Sequence, residues 1–171
     1  MTSEFIVTAI EAMRSNNPQG AKAALSETGI NVNEKDSEGY SALYIATAYG
    51  FKDIVKLLLD KGAEVNEKGV LDRTPLYLAA YDGYLEIVQM LVDKGAKLDA
   101  KTVEGDTALM AAERNGYKRV ARVLREADEH AASPAAQFTE AAAVQTSPAE
   151  AKAEAVKQPQ PAAKKPFWKF F

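Results

Sequence analysis

The side chains able to do catalytic chemistry are few in this 171-residue sequence and lie far apart. There is no cysteine, which removes thiolate nucleophiles, disulfides and cysteine zinc sites together. The single histidine, His130, lies beyond the last periodic element, where no nucleophile is placed beside it. The sequence also lacks a glycine-rich string of the kind that cradles phosphate. We therefore expect no enzymatic activity and no cofactor.

Acidic residues are the remaining candidates for metal ligands, and several fall close to expected helix starts. These residues are Asp36, Glu38, Asp72, Glu104 and Asp106. Carboxylates near the beginning of a helix already interact favourably with its dipole, so their position has a local structural explanation. We predict no metal site.

The charge balance points away from nucleic acid. The chain carries 21 Lys and Arg against 24 Asp and Glu, and its first 131 residues carry 16 against 21. A protein that binds nucleic acid by neutralising phosphates has the opposite balance.

No apolar run approaches the roughly 18 residues that span a bilayer, and the beginning of the chain lacks the basic region of a secretory signal. We expect a cytoplasmic monomer.

A repeat of 33 residues organises most of the chain. The residues that recur at this step are Leu43, Leu76 and Leu109, then Ala46, Ala79 and Ala112, and finally Gly50, Gly83 and Gly116. So many matches at one period indicate a stacked repeat architecture in which neighbouring units share a core. The predicted core is Leu43, Ala46, Ile54, Leu58, Leu76, Ala79, Ile87, Leu91, Leu109, Ala112, Val120 and Leu124.

Each unit reads as two helices joined by a turn. Thr74 is a typical N-cap and Pro75 suits the first helical position. Gly83 ends this first helix, and a second amphipathic helix follows until Gly95. An extended loop then leads to the next unit.

These residues carry a resemblance to a known family. Residues 74–79 read Thr-Pro-Leu-Tyr-Leu-Ala, which resembles the ankyrin signature Thr-Pro-Leu-His-x-Ala with one change. The resemblance covers about residues 36–128 and implies an all-α ankyrin-repeat solenoid of about four helix-turn-helix repeats within residues 1–131. Recognisable repeats are expected at 36–68, 69–101 and 102–131, and a degenerate N-terminal capping repeat at 1–35. The last repeat is also atypical and is expected to cap the other end.

The motif histidine is replaced by Tyr44, Tyr77 and Met110. In the family this histidine makes mainly a structural hydrogen bond, so its loss bears on local stability. We interpret the three replacements as packing residues.

The resemblance further implies a concave face, built from the first helices and the loops before them, that binds another protein. The partner-binding residues it implies are Tyr40, Tyr49, Val70, Leu71, Arg73, Tyr81, Asp82, Asp106 and Arg114. Tyr and Arg are typical of binding hot spots, and an exposed Val70–Leu71 pair lowers solubility unless a partner covers it. The alternative is that the tyrosine rings pack between repeats and the Val–Leu pair lies under a neighbouring loop.

Residues 132–171 have a different composition, rich in Ala and Pro, and we expect a flexible tail there. Its last eight residues, 164–171, read Lys-Lys-Pro-Phe-Trp-Lys-Phe-Phe. The aromatic residues of this segment are Phe167, Trp168, Phe170 and Phe171. Three roles are open: a motif that enters a partner's pockets, weak membrane-surface contact, or docking on the chain's own concave face.

The function expected from these patterns is a non-catalytic protein–protein interaction module, acting as an adaptor, scaffold or inhibitor. The partner is a protein of unknown identity, bound on the concave face. The alternative function is a membrane-proximal recruiter that is anchored weakly by the basic-aromatic segment.

Overall fold

The computed structural model describes residues 3–27 and 29–132, which form eight α-helices and one short 3₁₀ turn. The helices are α1 Ser3–Arg14, α2 Pro18–Leu25, α3 Ala42–Ala48, α4 Lys52–Asp60, α5 Pro75–Asp82, α6 Leu85–Asp93, α7 Ala108–Arg114 and α8 Lys118–Ala132, and the 3₁₀ turn is Val70–Asp72. Consecutive helices pair into four helix-turn-helix units. The all-α repeat architecture predicted from the sequence is confirmed.

The first helices of the three recognisable repeats begin at hydroxyl N-caps. The side-chain oxygen of Thr74 accepts a hydrogen bond from the Tyr77 amide at 3.2 Å, and Ser41 and Thr107 make the equivalent bond. Pro75 occupies the first turn of α5, where its missing N–H is not needed. Gly83 ends this helix in the left-handed conformation at φ 77°, which a glycine adopts without strain.

The helices stack in two rows. Each of the first helices, α1, α3, α5 and α7, packs on the next in that order, and the second helices α2, α4, α6 and α8 do the same. Eleven of the twelve predicted core residues are buried in one continuous cluster. Leu109 is the exception and stays partly exposed, because within the described residues no later unit covers α7.

An aromatic ring from one unit packs on the turn between the two helices of the preceding unit. The Tyr84 ring lies on Gly50 and the Tyr117 ring lies on Gly83, so that a Cβ atom at either glycine would come within 2.7 Å of the ring. Both glycines also have positive φ angles, which disfavour any other residue. The third turn glycine, Gly116, has nothing within 4 Å of its Cβ position among the described residues.

Asparagines join the loops that leave the second helices. The Asn33 side chain accepts from the Glu64 amide at 2.8 Å and donates to the Gly62 carbonyl at 3.3 Å. Asn66 repeats this pattern one unit later, with the Lys97 amide at 2.7 Å and the Gly95 carbonyl at 3.3 Å. Asp99 occupies the same position in the following loop, and its side chain makes no hydrogen bond or ion pair within the described part of the chain.

The last helix departs from the pattern of the others. α8 has 15 residues, whereas α4 and α6 have 9 each. Asp128 stands where Gly62 and Gly95 end the earlier helices, and α8 continues past it to Ala132. The predicted flexible tail, 132–171, lies outside the described residues except for its first residue.

Candidate protein-binding face

Three loops project from the stack just before α3, α5 and α7, and we call them fingers: residues 36–40, 69–73 and 102–106. Each finger is closed by one backbone hydrogen bond between its first and last residue. The donor and acceptor pairs are Asp36 N to Tyr40 O at 3.0 Å, Gly69 N to Arg73 O at 2.9 Å, and Thr102 N to Asp106 O at 3.0 Å. The fingers therefore begin from equivalent positions but carry different side chains.

The middle finger has an unusual backbone. The other two fingers turn at Gly39 and Gly105, both with φ 84°, whereas the middle finger turns through Leu71 at φ 57° and Asp72 at φ 58°. A large side chain in this region of φ is an outlier that needs support from its surroundings. Two contacts supply it, since the Leu71 carbonyl accepts from the Val103 amide at 3.1 Å and Asp72 pairs with Lys68.

This turn exposes an apolar tip. Leu71 is 39% exposed and Val103, on the neighbouring finger, is 63% exposed. Val70 is half-buried, so of the predicted Val–Leu pair it is Leu71 that faces solvent most. The backbone hydrogen bond between Leu71 and Val103 places these two fingertips side by side.

Below the middle finger, an arginine and two tyrosines form a column. The Arg73 guanidinium lies 5.5 Å from the centre of the Tyr77 ring, and the Tyr77 and Tyr81 rings stack at 6.2 Å. Tyr77 and Tyr81 are four residues apart on α5 and therefore lie on the same side of that helix, whereas Arg73 reaches the Tyr77 ring from the finger that precedes the N-cap Thr74. Arg73 and Tyr81 are half-buried, so their contact surfaces remain partly open to solvent.

The first finger begins a shorter column of the same kind. The Tyr40 and Tyr44 rings stack at 5.4 Å, and Tyr44 is almost fully buried. Burial raises the pKa of Tyr44 to about 12, and it also raises the pKa values of Tyr40 and Tyr77. The three phenols therefore keep their protons to higher pH than an exposed tyrosine does, and only the Tyr40 ring remains partly open to solvent.

Arginine–carboxylate pairs fix the two outer fingers. Arg14, at the end of α1, binds Asp36 at 2.7 Å and Glu38 at 2.8 Å, and so ties the first unit to the first finger. Arg114 on α7 binds Asp106 at 2.6 Å, and this hydrogen bond raises the pKa of the guanidinium. Asp106 is itself buried, so within the predicted set it positions Arg114, which remains exposed.

The structure brings only part of the predicted set together. Tyr40 and Arg73 lie in the fingers, and the column that begins at Arg73 ends at Tyr81, near the other end of α5. Tyr49 and Asp82 also lie at the ends of the first helices away from the fingers, about 10–12 Å along a helix of this length. Tyr49 stacks on Phe51 at 5.7 Å in the turn, which is the packing role that the sequence left open for the tyrosines.

Two features of this face were not predicted. Met110 was interpreted as a packing residue, but it is 47% exposed, because within the described residues no further finger covers it as fingers cover the equivalent Tyr44 and Tyr77. Arg14 lies in the degenerate first unit, where the 33-residue pattern gives no equivalent cation. Only its contacts with the first finger identify it as part of this face.

The described residues contain no group of three or more histidine, cysteine or acidic side chains able to hold a metal ion. No helix among them is both long and apolar enough to cross a bilayer. The predicted basic-aromatic motif, Phe167, Trp168, Phe170 and Phe171, lies outside the described residues.

Comparison with known proteins agrees with the stacked helix pairs. A family model described as ankyrin repeats, in three copies, matches residues 8–69 and 66–135, which together make up more than half of the chain. A search of curated proteins gives no match. The 33-residue period, the capped helix pairs and this match lead to one conclusion: the chain belongs to the ankyrin-repeat family.

Proposed function

We propose that the chain is a non-catalytic adaptor, scaffold or inhibitor that binds a partner protein on its concave face. Ankyrin repeats are generally protein–protein interaction modules, which supports the class of function. The observation that carries the proposal is the half-open column of Arg73, Tyr77 and Tyr81 below the exposed Leu71 tip. Arg and Tyr dominate binding hot spots because they combine a large apolar surface with hydrogen-bonding groups.

The partner contacts we propose fall into a centre and a rim. Arg73 and Tyr81 form the centre, since both are partly desolvated before binding and held by ring contacts. Leu71 and Val70 supply apolar contact at the fingertip, and Arg114, Tyr40, Tyr49 and Asp82 belong to the surrounding rim. The buried Asp106 takes part by holding Arg114 in place. Residues at the rim contribute less affinity because water still reaches them.

The backbone of the middle finger supports a binding role. Two non-glycine residues with positive φ cost free energy, of the order of 1–3 kcal/mol each for sparsely populated backbone regions. The two other fingers avoid this cost with glycine. Strain of this kind is concentrated at ligand-binding segments, where it fixes a side chain in the conformation that the partner meets.

Affinity capture with paired variants tests this proposal. The full chain, an Arg73→Ala/Tyr81→Ala variant and a control variant, Arg119→Ala/Arg122→Ala, are each tagged and used to capture proteins from a cell lysate. Arg119 and Arg122 are exposed on α8 and belong to neither column, so the control makes two exposed alanine substitutions away from the proposed site. We expect the partner to be retained by the control and lost from the double variant, by roughly 100-fold in affinity for two hot-spot residues.

Equal retention by both variants would show that the face is wrongly placed.

We also propose that the protein acts as a monomer in the cytoplasm. Size-exclusion chromatography at several protein concentrations and fractionation of cells test these two points.

A further inference from the structure

An open groove lies at the end of the stack, where the last unit departs from the pattern. Because α8 continues past Asp128, no exit loop of a following unit covers the loop 95–99 within the described residues. The result is a groove of about 550 Å³ between that loop and the last turns of α8. The groove is open to solvent along much of its lining, so an occupant lies along its surface and is not enclosed by it.

The lining of the groove combines apolar and acidic groups. Its apolar side chains come from α6, the loop and α8: Val92, Ala96, Leu98 and Ala127. Asp99 and Asp128 are exposed at its edges, and Lys97 is the single cation in the lining. An occupant that complements this surface has apolar rings and positive charges.

Asp99 adds a more specific requirement. Its counterparts Asn33 and Asn66 each accept a hydrogen bond from a backbone amide of the next unit and donate one to a carbonyl. Asp99 can only accept, and it has no partner in the described part of the chain. The position therefore favours an occupant that donates, such as an amide or an ammonium group.

We propose that residues 164–171 of the same chain dock in this groove. This segment contains four aromatic residues and three lysines within eight positions. Its rings match the apolar floor, and its lysines match Asp99 and Asp128. The segment then covers surface that a further repeat would cover, and it acts as a built-in cap for the open end of the stack.

The connecting chain is long enough for this docking. α8 ends four residues after Asp128, which is about 6 Å along the helix. Residues 133–163 separate it from the segment, and 31 residues reach up to about 100 Å when fully extended. Because the segment belongs to the same chain, its docking is an intramolecular event, and weak individual contacts suffice.

Tryptophan fluorescence tests the proposal, because Trp168 is the only tryptophan of the chain. In the full chain, we expect Trp168 to emit at shorter wavelength and to be quenched less by acrylamide than in the same chain unfolded in urea. An Asp99→Lys/Asp128→Lys variant replaces both attractive charges with repulsive ones. We expect the ratio of docked to free segment to fall by roughly tenfold, as for two exposed charge pairs, and quenching to approach the unfolded value.

The matched control is Glu11→Lys/Asp53→Lys, which makes the same change in net charge at exposed positions in the first two units. Its Trp168 should stay as protected as in the unmodified chain. Circular dichroism during urea unfolding checks that both variants fold, as expected for substitutions of exposed residues.

Three outcomes would overturn the proposal. Trp168 that is quenched equally in the folded and unfolded chain shows that the segment does not dock. Protection that survives Asp99→Lys/Asp128→Lys but is lost in Arg73→Ala/Tyr81→Ala shows docking on the concave face instead. If the protection of Trp168 increases with protein concentration, the segment docks on a second copy of the chain and not on its own. The first and third outcomes leave partner binding by the concave face untouched, whereas the second would make the segment a competitor for that face. Affinity capture with the Arg73→Ala/Tyr81→Ala variant tests partner binding separately.

Discussion

Tyr44 and Gly69 are matched across the boundary between two units. A Cβ atom at Gly69 would lie 2.3 Å from the Tyr44 ring, whereas the equivalent finger positions hold Asp36 and Thr102. The Tyr44 hydroxyl is buried beside the backbone of Val70 without a hydrogen bond of normal geometry in the described structure. The ring therefore provides the stabilisation and the hydroxyl opposes it, because an unpaired polar group is costly to bury.

Burial of Tyr44 predicts a loss of stability at alkaline pH. Its pKa of about 12 in the folded protein exceeds the ordinary value of about 10, so the folded chain holds the phenolic proton where the unfolded chain has lost it. Stability falls as pH rises through this window, by about 1 kcal/mol per pH unit for this residue. Tyr84, whose pKa burial also raises to about 12, adds to the effect.

Urea unfolding of the full chain and of Tyr44→Phe over the alkaline range measures this contribution. The variant should lose less stability above about pH 10, and the lysine titrations that occur nearby are common to both proteins. At neutral pH its stability should be unchanged or slightly higher. A neutral-pH loss above about 1 kcal/mol would instead show that the hydroxyl makes a hydrogen bond.

At the scale of the elements, the 33-residue period predicted where the helices begin and end in every repeat. It did not predict how far a residue is buried where that depends on the neighbouring unit. The helix starts at Thr74 and Pro75 and the end at Gly83 follow from local chemistry, and a short window of sequence contains all of it. The exposure of Leu109 and Met110 does not follow, because it depends on whether a further unit covers α7, and none does so within residues 3–27 and 29–132. The positive φ of Leu71 is equally hidden, since residues of this type rarely adopt it.

The difference between Leu91 and Leu109 is a direct test of this point. Both occupy leucine positions of the repeat, but Leu91 is fully buried and Leu109 is not. Leu91→Ala should cost about 2–5 kcal/mol in the free energy of unfolding, since it leaves a cavity in the core. Leu109→Ala should cost less than about 2 kcal/mol. Equal losses in denaturant titrations would contradict a core that is closed at Leu91 and open at Leu109.

The loops between units offer a second matched pair. Asn66→Ala removes two hydrogen bonds that join adjacent units, and we expect a loss of about 1–3 kcal/mol. Asp99→Ala changes the equivalent position, where the side chain has no partner in the described structure, and should stay within about 0.5 kcal/mol of the unmodified chain. Thermal unfolding of both variants makes the comparison. Similar losses would show that these asparagines do not couple the units.

At the scale of the whole molecule, the stack has two unlike ends. Arg14 fastens the first unit to the first finger through Asp36 and Glu38. At the other end, no residue of the described stack covers Gly116 or occupies the groove beside α8. The stability of a stacked repeat protein depends on the interfaces between nearest neighbours, so units with one neighbour open more readily than units with two.

Amide hydrogen exchange should therefore vary along the stack. We expect the slowest exchange in α3, α4, α5 and α6, whose units are covered on both sides, and faster exchange in α7 and α8. The Arg14→Ala variant should raise exchange in α1 and α2 while leaving α5 and α6 unchanged, because it weakens only the first interface. Uniform exchange across all helices would show that the described stack opens as a single unit.

The ring-on-glycine contacts make the array extensible by whole modules. If residues 69–101 were duplicated in tandem, the new Tyr84 would rest on the original Gly83, and Tyr117 would rest on the duplicated glycine. A tyrosine ring would then cover each turn glycine before Gly116, as it does now. The original Asp99 would face the loop of the inserted unit, and asparagine at this position would make both hydrogen bonds that Asn66 makes. The contacts between tyrosine rings and turn glycines that hold the units together would therefore also allow the stack to grow by internal gene duplication.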